Sequence, residues 1–337
     1  MAAAATPRAP MPTFAEYIPR VHDAMPEGGT RDHYMTYWKK ILAEEGWGAR
    51  RLDEPTTAQL AQLVETIRLA RIVRRTDQNG SEAARHVVCA LRRLYKHAER
   101  ERLIDPRDNP AAQLDKPGNR GPARHALPTG ILADLLRVAA TTGNDPELDK
   151  LLLRLHIETA CRRGGALALR PQDLEPVQSV ILLREKGGTR HWQPVSPTLM
   201  RALCRHAEER GAAPTQQLLR ARNGKPITHR RYDGLFTRLG KHLPWVITRN
   251  ISAHWLRHTT ITWVERTFGK AVASAFARHR QGRQGTTSIY TTATINEVAW
   301  AVAVLTGEPH PLATEDSALD WFRNGHPSQP SGKDDTP

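Results

Sequence analysis

Cysteine is scarce in this 337-residue chain, and the three present, Cys89, Cys161 and Cys204, lie far apart. That excludes a disulfide framework or a site built on closely spaced thiols, and it fits a reducing compartment. Aromatic residues make up only 6% of the chain against 39% hydrophobic in total. The core must therefore come mainly from Ala and Leu on helices, which argues against an all-β sandwich or barrel. Long apolar runs are missing too. The longest, residues 298–307, is stopped by Glu297 and Glu308, short of the roughly 18 residues a membrane span needs. Residues 1–14 are interrupted by Pro7, Arg8, Pro10 and Pro12 and lack the continuous apolar region of a secretory signal. No membrane association is expected, and the chain reads as cytoplasmic.

What the sequence does have is positive charge: 49 Lys and Arg against 35 Asp and Glu, a net +14. Residues 1–118 hold 19 basic and 16 acidic side chains, residues 119–312 hold 28 and 14, and residues 313–337 hold 2 and 5. The excess sits in the middle-to-late part, so a partner rich in negative charge is expected to meet that part. The Lys116-Pro117-Gly118-Asn119-Arg120-Gly121-Pro122 stretch cannot continue a helix and reads as an exposed linker. The expected division is a disordered start at 1–12, a helical domain at 13–116, a linker at 117–124, a second domain at 125–312, and a tail at 313–337 that is disordered at its end.

In the first domain, residues 85–102 place Val87, Leu91, Leu94 and Ala98 at helical spacing, with Arg92, Arg93 and Lys96 outside that stripe. Residues 58–71 repeat the pattern with Leu60, Leu63, Val64 and Ile67. Arg68, Arg71, Arg74 and Arg75 recur at three- and four-residue intervals; a cationic stripe along a duplex and a solvated helix face fit them equally well. In the second domain, helices are expected over 127–140, 148–160, 198–210, around 232–243, over 254–276 and over 295–305. Residues 180–183 and 191–195 read as strands around a Gly-Gly turn. The fold class expected is mainly α with a small antiparallel sheet, an α+β arrangement.

The most informative stretch is His254-Trp-Leu-Arg257-His258, whose polar residues at i, i+3 and i+4 share one helix face. Arginine offers a fork of donors that matches a phosphate, and histidine a proton donor or acceptor near neutral pH. Such a face suits a phosphodiester, while three chance polar residues on a surface helix fit it as well. Upstream, Arg162 and Arg163 precede Gly164 and Gly165 between two helical stretches; downstream, His279 is followed by a Gly/Arg/Gln-rich stretch and Tyr290. Each in isolation reads as structural: an ion pair, a surface histidine, a rim aromatic.

Taken in order, these residues resemble the tyrosine recombinase family, the phage integrases and their relatives, over nearly the whole second domain. Thr159-Ala160-Cys161-Arg162 corresponds to the family's first arginine motif, Lys186 to its hairpin lysine, and His254, Arg257 and His258 to its His-x-x-Arg-His motif. His279 corresponds to its later His or Trp, and Tyr290 to its nucleophile. Three departures stand out. Ala160 replaces the usual Gly. Gly165 replaces an acidic residue, so a contact orienting the arginine is either absent or supplied from elsewhere. The eleven-residue step from His279 to Tyr290, with Gly282 and Gly285 inside it, is longer than the commonest spacing. The first domain resembles the family's helical core-binding domain more weakly, through the helix at 87–103 and Asp105-Pro-Arg-Asp-Asn109-Pro.

The resemblance implies a metal-independent, cofactor-free recombinase or integrase that exchanges DNA strands through a 3′-phosphotyrosine, for integration or excision of a mobile element. It implies Arg162, Lys186, His254, Arg257, His279 and Tyr290 as catalytic residues. The DNA-binding candidates are Arg68, Arg71, Arg75, Arg92, Arg93, Lys96, Arg120, Arg163, Arg190 and His258. The implied partners are double-stranded DNA, a homotetramer on synapsed duplexes and an accessory directionality factor, with the protein nucleoid-associated when bound. The alternatives are a type IB topoisomerase-like enzyme and a catalytically silent DNA-binding factor of the same fold. The 295–305 helix, apolar at Val298, Ala299, Ala301, Val302 and Leu305, can pack on its own domain or dock on a neighbouring protomer.

Overall fold

A computed structural model of the protein describes residues 10–70, 80–118, 126–185, 188–278 and 293–313. It divides into two compact units, Met1–Pro122 and Ala123–Pro337. Of the start read as disordered, only 10–12 are described: Met11 leans on the first unit's core, and the Pro12 carbonyl accepts the Leu52 N–H at 3.1 Å. Residues 119–125 of the linker region and 314–337 of the tail lie outside the described residues.

The first unit is built from α1 (Phe14–Asp23), α2 (Gly29–Ala43), α3 (Thr57–Leu69) and α4 (Ser81–Arg100). Thr13 with Glu16 and Thr56 with Gln59 close reciprocal capping boxes that satisfy the free N–H groups at the starts of α1 and α3. Phe14, Tyr17, Trp38, Leu60, Leu91, Leu94 and Tyr95 are fully buried together. Each of the three amphipathic members finds a partner: Trp38 Nε1–H donates to the Ala90 carbonyl at 3.0 Å, the Tyr95 hydroxyl to that of Leu52 at 2.9 Å and the Tyr17 hydroxyl to the Glu101 carboxylate at 2.9 Å. Helices α1 and α2 were not among those expected from periodicity.

The second unit contains α5 (Thr129–Thr141), α6 (Pro146–Thr159), α7 (Arg163–Leu167), β1 (Leu174–Glu175), β2 (Val180–Glu185), β3 (Thr189–Pro194), α8 (Pro197–Glu209), α9 (His229–His242), α10 (Pro244–Thr248), α11 (Ala253–Ala277) and α12 (Ile295–Thr306). The three strands form one antiparallel sheet in the order β1-β2-β3, with Leu183 opposite His191 and Glu185 opposite Thr189. The mainly helical α+β class expected from the sequence is what the chain adopts, with β1 an unforeseen third strand. Leu135, Leu152, Leu155, Leu199, Leu235 and Leu256 anchor the larger core. A second cluster joins Ala160, Val264, Phe276, Val298 and Val302.

Two features refine the sequence reading. Residues 254–276 were expected to be one helix, but α11 is interrupted at Gly269, whose φ of 83° and ψ of 172° are non-helical. A residue without a Cβ adopts that backbone without steric cost, which is why the break falls there. Helix α12 packs within its own unit, against β3 and α11. The residues after it follow suit: Glu308 accepts the Thr198 N–H at 3.0 Å, and His310 Nε2 meets the Ser179 carbonyl at 3.1 Å.

Candidate functional site

The end of α6 sets the position of Arg162. Ala160 takes the left-handed conformation, φ 47°, as the helix C-cap, the turn for which Gly is the usual residue. Its methyl is fully buried in the Val264, Phe276 and Val298 cluster, so packing offsets the backbone strain. The Thr159 hydroxyl accepts the Cys161 N–H at 3.1 Å. Burial keeps the Tyr232 phenol protonated, and its hydroxyl lies 3.0 Å from His156 Nε2. The other ring nitrogen of His156 is 3.0 Å from the Cys161 carbonyl, which can only accept, so that nitrogen donates to it. Arg162 therefore leaves a turn braced from behind.

Four charged side chains meet in front of that turn. Glu185, the last residue of β2, accepts the Arg162 backbone N–H at 3.3 Å and pairs with the Arg162 guanidinium through its other oxygen. Its Oε1 is 3.4 Å from Arg278 and 4.0 Å from Arg257. Arg257, only 4% exposed, donates to the carbonyls of Ala160 and of Ala277, the latter at 2.7 Å. Arg278 donates to the carbonyls of Thr159 at 3.0 Å and Phe276 at 2.9 Å, and to the Gln193 side chain. The Arg162 side chain, 44% exposed, is the member that faces outward.

Electrostatics follow from this arrangement. Burial, then the charges of Arg278 and Arg162, lower Arg257 to about 10, which leaves it cationic at neutral pH. Burial also acts against ionised Glu185, but Arg278, the Arg162 N–H and the charges of Arg162 and Arg257 prevail and hold it below the usual carboxylate value. The cluster is thus three cations around one anion, a net +2 beside a half-exposed guanidinium. It can accept an anion of tetrahedral geometry.

The sequence-derived candidates fall into distinct places. Arg162 and Arg257 are brought together through Glu185 and the Ala160 turn. His254 is exposed on the first turn of α11, one turn before Arg257. His258 Nδ1 lies 3.2 Å from the Thr262 hydroxyl on its own helix. Lys186, His279 and Tyr290 lie outside the described residues, as do Arg71, Arg75 and Arg120. Among the other basic candidates, Arg68 pairs with Glu65 at 2.7 Å and Lys96 with Glu99 at 2.5 Å. Arg92 donates to the Leu114 carbonyl at 2.6 Å, fastening α4 to the segment that follows it, and Arg93 is half-buried. Arg163 is 3.6 Å from Asp233, and Arg190 is exposed on β3. Among the described residues no three His, Cys, Asp or Glu side chains converge as a metal site, and no helix is long and apolar enough to cross a membrane.

Sequence reasoning missed Glu185 and Arg278. The acidic contact absent at Gly165 is supplied by Glu185: a Cβ built on Gly165 would stand 3.5 Å from the Glu185 Cγ and 3.7 Å from its Oε1. The Glu185 side chain thus stands in van der Waals range of the position a side chain there would start from. The signal available in sequence was adjacency alone, Glu185 before Lys186 and Arg278 before His279.

Comparison with known proteins bears on the family and the fold. The model of the phage integrase family matches residues 132–297, from α5 to the first turn of α12. Among solved structures, a lambda integrase dimer bound to a COC′ core site is similar with a TM-score of 0.59 and 14% identity, over 82% of this chain and 76% of that one. A lambda integrase tetramer bound to a Holliday junction gives 0.60 and 14%, over 82% and 76%. The Tn1549 transposon integrase in complex with circular intermediate DNA gives 0.61 and 17%, over 84% and 95%. At these identities the likeness is one of fold. No curated protein matches.

Proposed function

Residues 132–297 of this chain belong to the phage integrase family of tyrosine recombinases, and on that premise we propose that the protein is a site-specific DNA recombinase that cleaves and rejoins strands through a 3′-phosphotyrosine at Tyr290. Integration or excision of a mobile element is the biological role this reading supports. The observation that carries it is the convergence of Arg162 and Arg257, 95 positions apart (257 − 162), on one carboxylate with the first guanidinium left half exposed.

The chemistry follows from exchanging one phosphoester for another. The Tyr290 phenol, with a reference pKa of about 10, is a weak nucleophile until a neighbour takes its proton. His254 is assigned that role. As the phenolic oxygen bonds to phosphorus, charge grows on the non-bridging oxygens, where Arg162 and Arg257 supply permanent cations and His279 a further donor. The bond from phosphorus to the 5′ oxygen breaks, and Lys186 protonates the departing oxygen. Attack by a 5′ hydroxyl from a second duplex reverses the step and completes the exchange. A homotetramer on two synapsed duplexes is the assembly such an exchange requires, in keeping with the tetramer seen for lambda integrase on a Holliday junction.

The test is covalent capture. Full-length protein incubated with a nicked duplex, its site selected by binding from a random-sequence pool, is expected to yield a denaturation-resistant protein–DNA adduct that Tyr290→Phe abolishes. Strand exchange between two such duplexes supports a recombinase, whereas supercoil relaxation without exchange supports the topoisomerase-like alternative. Tight binding with no adduct in the wild-type chain would leave a catalytically silent DNA-binding factor.

A further inference from the structure

The β2 and α11 ends are joined by a contact that neither the motif order nor the family match assigns. Glu185 closes β2, and Arg278 caps α11 in the left-handed conformation, φ 53°. For a side-chain-bearing residue that backbone is costly, and it persists only where surrounding bonds enforce it. Here they do: the Arg278 guanidinium, 2% exposed, reaches Thr159 on α6, Gln193 on β3 and Glu185 on β2. One side chain therefore ties the end of α11 to three other elements of the site. The same Glu185 carboxylate orients Arg162 through both its N–H and its guanidinium.

We propose that Glu185 and Arg278 are a buried positioning pair, which aims Arg162 at the phosphate and fixes the net charge of the arginine cluster at +2. The proposal rests on the recombinase reading above. Three guanidiniums and one carboxylate leave two positive charges, and among the described residues Glu185 is the one carboxylate within ion-pair distance of any of the three. A phosphodiester brings one negative charge, and attack by a deprotonated phenol raises it to two in the pentacoordinate state. Over these four groups the charge offered matches the two negative charges of the pentacoordinate state more closely than the one of the ground state, and the Lys186 ammonium and the imidazolium formed on His254 add to it.

This charge count gives a signature that loss of fold would not. In Glu185→Gln the cluster rises to +3 with no carboxylate to steer Arg162, so duplex affinity is held or tightened while adduct formation slows by at least about tenfold, as expected of directly coupled groups. Arg278→Met lowers the cluster to +1 and slows adduct formation with weaker duplex binding. Combining the two restores +2, and the double variant is expected to outpace Glu185→Gln alone. The experiment uses full-length chains, melting curves to establish folding, duplex affinity, and single-turnover adduct formation on the nicked duplex selected by wild-type binding. Glu185→Asp, which keeps the charge on a shorter arm, is expected to recover part of the rate.

Equal adduct rates in wild type and Glu185→Gln overturn the positioning role while leaving the recombinase reading intact. So do losses in the double variant that simply multiply. If neither Glu185→Gln nor Glu185→Asp folds, the pair is a folding element and the proposal falls. Absence of adduct from the wild type removes the recombinase reading and the proposal with it.

Discussion

His206, on α8, accepts the Arg220 backbone N–H at 3.2 Å through Nε2, so that nitrogen must stay unprotonated in the fold. Burial, reinforced by the charge of Arg210, pushes its pKa down to about 4. In the unfolded chain a histidine takes its proton near 6.5, so between those two values the unfolded state binds more protons than the folded one and stability falls as pH falls. Melting temperature is expected to drop through this window in the wild type and to drop less in His206→Gln, whose amide oxygen can accept the same N–H without titrating. Parallel melting curves against pH for the two proteins would remove His206 as the source. Arg257 was singled out because His254, Arg257 and His258 share one helix face, whereas Arg162, read alone as an ion pair, stood out only through its resemblance to the family's first arginine motif. Glu185 and Arg278 were not legible, since their meaning depends on a contact between residues 93 apart in the chain, and nothing in either local sequence announces it.

At the scale of elements, α11 carries the clearest difference between pattern and structure. Its apolar period runs on through Val272 and Phe276, and both are buried, so periodicity alone cannot register the break at Gly269. The backbone there lies in a region that is nearly confined to glycine, and a Cβ would meet nothing within 4 Å. Gly269→Ala therefore isolates the conformational cost, about 1–3 kcal/mol, with no steric clash added. A fall in melting temperature of several degrees is expected, on the scale of 2–4 °C per kcal/mol for domains of this size. An unchanged melting temperature would mean that the two halves of α11 can join into one helix at no cost. Helix α4 was readable because its stripe of Val87, Leu91, Leu94 and Ala98 is continuous and entirely buried. Helix α2 was hidden because it buries fully only Trp38 and Ile41 among polar and aromatic neighbours, and β1 because two residues are too few to show alternation.

For the molecule as a whole, the charge asymmetry makes a prediction that depends on no single contact. Residues 119–312 carry 28 basic against 14 acidic side chains, yet several of those cations are committed to the protein's own carboxylates: Arg231 and Arg238 to Asp149, Arg184 to Asp173, and Arg210 to Asp145. The net excess, rather than the count of arginines, is what remains to neutralise a phosphate backbone. Binding of a duplex should then be driven largely by counterion release, with affinity falling by about 10³–10⁵ between 50 and 200 mM salt if 6–10 phosphates are contacted. Arg190, exposed on β3, and Arg163, held by a 3.6 Å contact to exposed Asp233, are among the described cations open to take part. Replacing either with Ala is expected to weaken binding about equally across duplex sequences and to lower the salt slope by about one, measured by fluorescence anisotropy of a labelled duplex over a salt series. Removing a committed cation such as Arg184 should instead lower stability and leave the slope unchanged, because Asp173 would be left buried without its partner. A slope near zero in the wild type would show that the positive charge of the second unit is not what meets the nucleic acid.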